Sequence, residues 1–159
     1  PFPLAYRGLG DLFVIIFFGW VAVLGMQFLF MKSLNFDGFI VGTQIGFLAT
    51  VLIAINNLRD RDQDVHVNKK TLAVRLGKNF ARTEIAVLAF APFILGAYWI
   101  MTHRVLMGTI PLIAIPLAIK VVNGIFSNEP SSLYNQFLGK AAGLHLLFGI
   151  GLAIAAVFS

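Results

Sequence analysis

The feature that most restricts the fold of this chain is a series of five long apolar stretches. They lie at residues 12–31, 38–58, 84–101, 105–126 and 141–158. A helix needs about 20 mostly apolar residues to cross the hydrocarbon core of a bilayer. Helix is the only secondary structure that suits them, because an open strand edge in lipid would leave backbone groups unpaired. The sequence therefore predicts an all-α, multi-pass transmembrane bundle.

The composition supports a membrane protein and excludes several other classes. Hydrophobic residues make up 58% of the 159 residues and charged residues 12%, which is too apolar for a soluble domain of this length. The sequence contains no cysteine, which excludes disulfides and thiolate chemistry. A net charge of +5 would suggest nucleic acid in a soluble protein. In a chain of apolar spans, basic residues instead report topology, and we expect no nucleic-acid partner.

The distribution of basic residues predicts the orientation of the bundle. Seven of the twelve lysines and arginines lie in the segment 59–83, which is predicted to be a loop between the second and third spans. Basic residues collect in the cytoplasmic loops of membrane proteins. The sequence therefore predicts an integral protein of the cytoplasmic (inner) membrane, with the 59–83 loop facing the cytoplasm.

Acidic and amide side chains recur at helical spacing where the second span ends. Asn56, Asp60 and Asp64 are each four positions apart, and Asn57 lies three positions before Asp60. If the second helix continues past the membrane surface, all of them project from about the same side of it. Their oxygens suit Mg²⁺, which binds one or two carboxylates and shares its shell with substrate phosphates. We therefore predict Asn56, Asp60 and Asp64 as metal ligands, with the two aspartates as the catalytic pair.

Basic side chains surround these oxygens along the chain. A diphosphate needs cationic partners for the oxygens that a metal leaves free. The same stretch supplies a predicted diphosphate-binding set: Asn57, Arg59, Lys69, Lys70 and Arg75. Asp62 faces elsewhere on a regular helix and is a secondary candidate. The alternative is a solvated boundary loop whose basic residues only fix the topology.

The stretch NNLRDRDQD, followed by NKKTLAVRLG, resembles the second aspartate motif of UbiA-type intramembrane prenyltransferases. The resemblance is strongest to the branch that prenylates 1,4-dihydroxy-2-naphthoate in menaquinone biosynthesis. It places the following residues at metal–diphosphate positions: Asn56, Asn57, Arg59, Asp60 and Asp64. It places a basic loop that caps the site at Lys69, Lys70, Thr71 and Arg75. Asn68 stands where glycine is frequent, and asparagine also tolerates a left-handed backbone.

This resemblance implies a fold and a reaction. The family fold is a nine-helix bundle with two aspartate motifs, and this chain corresponds to its C-terminal part with the second motif only. The implied reaction is Mg²⁺-dependent transfer of a polyprenyl group from a polyprenyl diphosphate to an aromatic acceptor. With dihydroxynaphthoate the ring loses CO₂ and gives demethylmenaquinone. Half of the metal ligands would lie outside these residues, so we expect this portion alone to be inactive.

Several alternatives stay open at the level of sequence. Tyr6 and Arg7 are secondary candidates for contact with the diphosphate or the acceptor, and interfacial anchoring explains them equally well. Phenylalanines of the first two spans could line a prenyl groove, although packing or lipid contact is their commoner role. Other acceptors of the same family, such as hydroxybenzoate or homogentisate, are possible. From other classes, the alternatives are half of a secondary transporter or a non-catalytic assembly subunit.

Overall fold

The computed structural model describes residues 8–159, and that part of the chain is helical without any strand. Its helices follow one another in this order: α1 (Gly10–Met31), α2 (Phe36–Arg59), α3 (Arg61–His66), α4 (Leu72–Met101), α5 (Val105–Ser127) and α6 (Tyr134–Val157). All of them except α3 are long and apolar enough to cross a membrane. The predicted all-α bundle of five spans is therefore confirmed.

The segment 59–83 is more helical than the loop predicted from the sequence. It contains α3 and the first turns of α4, which begins at Leu72 and not near residue 84. Thr71 starts α4, because its side-chain oxygen accepts a hydrogen bond from the backbone N–H of Val74 (3.4 Å). Hydropathy marks only the part of a helix that lipid can surround, so the polar turns of α4 escape a prediction based on it.

The helix α4 is kinked near its polar start. Gly77 has φ 87° and ψ 173°, which lies outside the helical region and separates a short first segment from the membrane-crossing part. Glycine adopts this conformation at little cost because it has no Cβ. The short segment 72–76 therefore belongs to the polar end of the bundle.

The central helix of the bundle is α2. Within its apolar window 61% of the residues are buried, compared with 6% in α1. Its Val51 and Ile55 are fully buried in the core that it forms with α4 and α6. A polar cross-link runs through this core, since Trp99 donates to Gln44 Oε1 (3.1 Å) and Gln44 Nε2 donates to the carbonyl of Pro92 (2.8 Å). These contacts tie α2 to α4 within the core.

A close approach of glycines joins α1 to α2. A methyl group at Gly19 would collide with the carbonyl oxygen of Gly42 and the backbone of Gly46. Small residues let helix backbones approach in this way in membranes. The crossing lies in a π-helical segment of α1, Ile15–Val21. It holds the first turn of α1 beside the last turns of α2.

An ion pair anchors the first turn of α2. Arg104, in the link between α4 and α5, donates two hydrogen bonds of 2.8 Å to the carboxylate oxygens of Asp37. Tyr98 Oη also donates to Asp37 (2.6 Å), and the Arg104 guanidinium lies 4.9 Å from the centre of the Trp99 ring. We call Asp37, Tyr98, Trp99 and Arg104 the distal clasp. It ties the start of α2 to the end of α4.

Candidate diphosphate-binding site

The predicted acidic residues lie where α2 passes into α3. Asp60 leaves the helical region (φ −93°, ψ 7°), but the hydrogen-bond ladder continues across it. Its N–H donates to the carbonyl of Asn56 (3.0 Å), and the N–H of Asp64 donates to the carbonyl of Asp60 (2.8 Å). These bonds to the fourth preceding residue preserve helical spacing, so the three side chains follow one side of the chain. We call the segment 56–71 the charged end.

Arg59 links several side chains of the charged end. Its Nε and Nη2 donate to the two carboxylate oxygens of Asp60, both at 2.7 Å, and Nη2 also donates to Oδ1 of Asn56 (2.7 Å). Its Nη1 donates to Oδ1 of Asn135 at the start of α6. The guanidinium lowers the pKa of Asp60 below its usual value. Asp60 is therefore held ionised, with an arginine among the oxygens that were predicted to bind metal.

A second ion pair lies beside the first and is more buried. Lys69 Nζ lies 3.0 and 3.2 Å from the carboxylate oxygens of Asp64, and Asp64 is only 6% exposed. The chain turns between them through Asn68, whose φ of 54° lies in the left-handed region. This confirms that asparagine can adopt the turn at this position. An anion that reached Lys69 would free the Asp64 carboxylate for a cation.

The remaining residues of the predicted set differ in burial. Asn57 is 6% exposed and lies inside the charged end, next to α1. Lys70 and Arg75 are exposed, and the Arg75 side chain lies beside Gly8, just before α1. Thr71 is buried and caps α4. The fold therefore brings Asn57 into the site and leaves the two outer basic residues at its rim.

Of the secondary candidates, only Asp62 lies within the described residues. The Asp62 side chain is 90% exposed and pairs with Arg61 Nη1 (3.1 Å), and it lines a surface pocket with Arg59. Arg61 also donates from Nε to the carbonyl of Ala73 (3.1 Å), which braces α3 against α4. Tyr6 and Arg7 lie outside the described residues.

A small cavity opens between the start of α1, the end of α2 and the link before α4. Its volume is about 120 Å³. It is lined by Gly8, Gly10, Asp11, Ile53, Asn56, Asn57, Lys69 and Thr71. Four of these residues belong to the stretch that the sequence analysis assigned to the site. The structure therefore joins the first turn of α1 to the charged end.

Two residues of this region escaped the sequence analysis. Asp11 is 4% exposed, and its Oδ1 has no hydrogen-bond partner within residues 8–159. A carboxylate directly before an apolar span was the sign that could have identified it, since such groups at membrane depth are costly. Asn135 gave no sign, because it reaches Arg59 from 76 positions away in the sequence.

The donor atoms of the charged end suit a hard divalent cation. Asn56, Asp60 and Asp64 offer amide and carboxylate oxygens, the ligands that Mg²⁺ prefers. Within residues 8–159, no group of three or more histidine or acidic side chains is arranged to hold a metal. A cation at this site would therefore take additional ligands from a substrate phosphate or from other parts of the protein.

Five helices that can cross a membrane define an integral membrane protein. Its polar site, with ion-paired carboxylates and amides, lies at one end of the central helix. Residues 1–148 match the model of the UbiA prenyltransferase family. The chain belongs to this family. This membership favours an enzyme over the transporter and assembly-subunit alternatives.

Several curated relatives share the name of one branch of the family. The chain is 39% identical over 119 residues to 1,4-dihydroxy-2-naphthoate octaprenyltransferase of Escherichia coli (strain K12), which covers 74% of the chain and 39% of the relative. Proteins of that name from Haemophilus influenzae and Mycobacterium leprae are each 32% identical, over 157 and 127 residues. These matches cover 96% and 80% of the chain, but 51% and 42% of the relatives. The chain thus spans about half of their length or less, which fits the expected C-terminal portion of a larger bundle.

Proposed function

We propose that this chain is part of an integral membrane enzyme that transfers a polyprenyl group from a polyprenyl diphosphate to 1,4-dihydroxy-2-naphthoate. Loss of CO₂ from the ring would give demethylmenaquinol, the hydroquinone form of demethylmenaquinone. The names of the relatives support this donor and acceptor. The observation that carries the proposal is the pairing of Arg59 with Asp60 and of Lys69 with Asp64 at one end of the central membrane helix. A diphosphate would meet both cations there while its isoprenoid tail stayed in lipid.

The two ion pairs support an exchange of partners when the donor binds. Arg59 and Lys69 donate to carboxylates, and phosphate oxygens are acceptors of the same kind. Once a diphosphate takes over these donors, Asp60 and Asp64 keep their charge but lose their cations. Uncompensated carboxylates at a partly buried site attract a divalent cation, so binding of donor and metal would reinforce each other.

Each side chain then has a distinct role in the reaction. Mg²⁺, when held by Asn56, Asp60 and Asp64, would neutralise the diphosphate as the C–O bond to the prenyl group breaks. Arg59 and Lys69 stabilise the charge that grows on the leaving group. Because the remaining metal ligands are proposed to lie outside the described residues, this portion alone would be inactive. The excess of basic residues in 59–83 supports a cytoplasmic location for the charged end.

The test uses the full-length protein in membranes or detergent, with a polyprenyl diphosphate, dihydroxynaphthoate and Mg²⁺. We expect transfer to stop when a chelator removes the metal. Asp60→Asn and Asp64→Asn should each lower the rate about 10²–10³-fold, as does the loss of other groups that stabilise a transition-state charge. Glu129→Gln is the matched control, because this carboxylate is 73% exposed and pairs with Lys78 at the surface.

Three results would contradict the proposal. Full activity in the presence of chelator would show that the reaction does not need a metal ion. Full activity of both aspartate variants would show that the carboxylates of the charged end take no part in the reaction. A clear preference for hydroxybenzoate or homogentisate over dihydroxynaphthoate would keep the reaction class and reassign the acceptor.

A further inference from the structure

The carboxylate of Asp11 stands out because it is buried and incompletely bonded. Asp11 lies in the first turn of α1 and is 4% exposed, and its Oδ1 accepts no hydrogen bond within residues 8–159. Buried polar atoms are nearly always hydrogen-bonded, and an unmet acceptor costs free energy. The Oδ1 atom of Asp11 is therefore a buried acceptor available to the donor group of a ligand.

The other aspartates of the described chain are engaged differently. Asp37, Asp60, Asp62 and Asp64 each lie within 3.1 Å of an arginine or lysine nitrogen. Asp11 has no such ion pair within residues 8–159, although Lys69 acts on it electrostatically from a greater distance. Among the described aspartates, Asp11 is thus the one that no lysine or arginine side chain pairs with directly.

The cavity beside Asp11 shows where such a ligand would sit. Asn56, Asn57 and Lys69 line it together with Asp11, whereas the paired carboxylates of Asp60 and Asp64 do not. Asp11 therefore lines, from α1, a cavity that the two carboxylates proposed to hold metal do not line. At about 120 Å³ the cavity has room for about four water molecules, which suits the edge of a ring with its hydroxyl.

We propose that Asp11 is a catalytic residue that binds a ring hydroxyl of the aromatic acceptor and takes its proton. This inference rests on the proposed prenyl transfer to a hydroxylated aromatic acid. The orphan oxygen is an acceptor, so it suits a ligand that brings a hydrogen-bond donor. A hydroxyl ortho to the reacting carbon is the donor group that such an acceptor carries. The diphosphate carries only acceptor oxygens when ionised, so it does not fit this position.

The proton balance of this step is complete. The hydroxyl proton moves to the Asp11 carboxylate, and the oxygen lone pair becomes a C=O bond while the adjacent ring carbon forms its bond to the allylic cation. When CO₂ leaves that carbon, the electrons of the broken C–C bond restore the aromatic ring. The ring oxygen then takes back the proton from Asp11. No further reactant is needed, and Asp11 ends as it began.

The decisive variant is Asp11→Asn in the full-length enzyme, because it keeps the size of the side chain and removes the base. We expect the transfer rate to fall about 10²–10⁴-fold, the usual contribution of a general base. Binding of a non-hydrolysable polyprenyl thiolodiphosphate should stay within about threefold of the wild type, and Glu129→Gln should leave both quantities unchanged. Asp11→Glu, which retains a carboxylate, should recover part of the rate.

A pH profile separates a base from a merely structural residue. The rate of the wild type should fall on the acidic side as Asp11 becomes protonated, and Asp11→Asn should lose that limb. Lys69 from the link before α4 and Glu84 from α4 both interact electrostatically with Asp11. The profile is therefore repeated with Glu84→Gln, which should shift the limb and not abolish it.

A second measurement needs no variant and so does not depend on folding. Dihydroxynaphthoate whose hydroxyls are methylated can give no proton, and we expect the wild type to bind it weakly and not to prenylate it. Comparable transfer to the methylated acceptor would overturn the proposal, as would an Asp11→Asn enzyme of normal rate or one that had lost only diphosphate binding. If the wild type transferred no prenyl group to any aromatic acid, the proposed function itself would fail first.

Discussion

The two ends of α2 both carry an aspartate paired with an arginine, but the two pairs are built differently. At the distal clasp, Asp37 accepts hydrogen bonds from Arg104, which lies 67 positions away in the sequence, and from Tyr98. At the charged end, Asp60 is paired with Arg59, its neighbour in the sequence. The first pair joins α2 to the link between α4 and α5, whereas most partners of Arg59 belong to its own stretch of chain.

This difference separates a structural ion pair from one suited to binding. Opening the distal clasp would break hydrogen bonds that α2 makes with the end of α4 and with the link after it, so its partners resist exchange. At the charged end, Arg59 and Lys69 can turn to a new anion without separating two helices, apart from the contact of Arg59 with Asn135. The same residue types therefore give rigidity at one end of the bundle and exchangeable partners at the other.

The largest expected effect is on prenyl transfer. Arg59→Gln should lower the rate of the full-length enzyme about 10²-fold or more, because a cation that stabilises the leaving group is lost. Arg104→Gln is the matched control at the distal clasp and should leave the rate within about threefold. The rates are compared at saturating donor and Mg²⁺. Equal losses in the two variants would show that both arginines act only through the fold.

An intermediate effect is expected on thermal stability. Here the Arg104 variant should lose more than the Arg59 variant, the reverse of the order expected for the transfer rate. Arg104→Gln should lower the apparent melting temperature by about 2–4 °C, since it removes two charge-assisted hydrogen bonds between helices. Arg59→Gln should lower it by less than half as much, because its main partners are local and partly exposed. Melting followed by fluorescence in one detergent suffices. A larger loss for Arg59→Gln would reverse the assignment of the structural pair.

The smallest expected effect is a pH dependence that comes from the charged end. The pKa of Asp60 lies below its usual value of 3.8, so its ion pair contributes fully above that value. The contribution is lost as the pH falls through the lowered pKa of the folded state. Between about pH 5 and pH 3, Asp60→Asn should therefore lose about 1–2 °C less in melting temperature than the wild type. Identical pH curves would mean that Arg59 does not hold Asp60 ionised.

The sequence predicted the five spans and the helical spacing of Asn56, Asp60 and Asp64, because both are local patterns that repeat along one helix. It missed the helical turns of 72–83, since hydropathy marks lipid contact and not helicity. It could not show the contact of Arg59 with Asn135, which depends on how two distant helices pack. The site assignments themselves stay predictions until the variants are measured.

Asp11 illustrates the same limit in a single residue. From the sequence it is one acid before an apolar span, which is common at a membrane boundary. Its burial depends on the crossing of α1 with α2 at Gly19, and no pattern within α1 specifies that crossing. The sequence could therefore mark Asp11 as an acid beside a span, but its burial and its unpaired oxygen appear only in three dimensions.

The backbone at Gly77 has a consequence for how this position tolerates change. A Cβ there would meet no atom within 4 Å, so a side chain has ample room. The obstacle is torsional, because φ 87° with ψ 173° is a combination that essentially only glycine adopts. Even asparagine, which accepts the left-handed helical region at Asn68, gains no advantage here. Alanine, the smallest replacement, should therefore disturb this joint about as much as leucine.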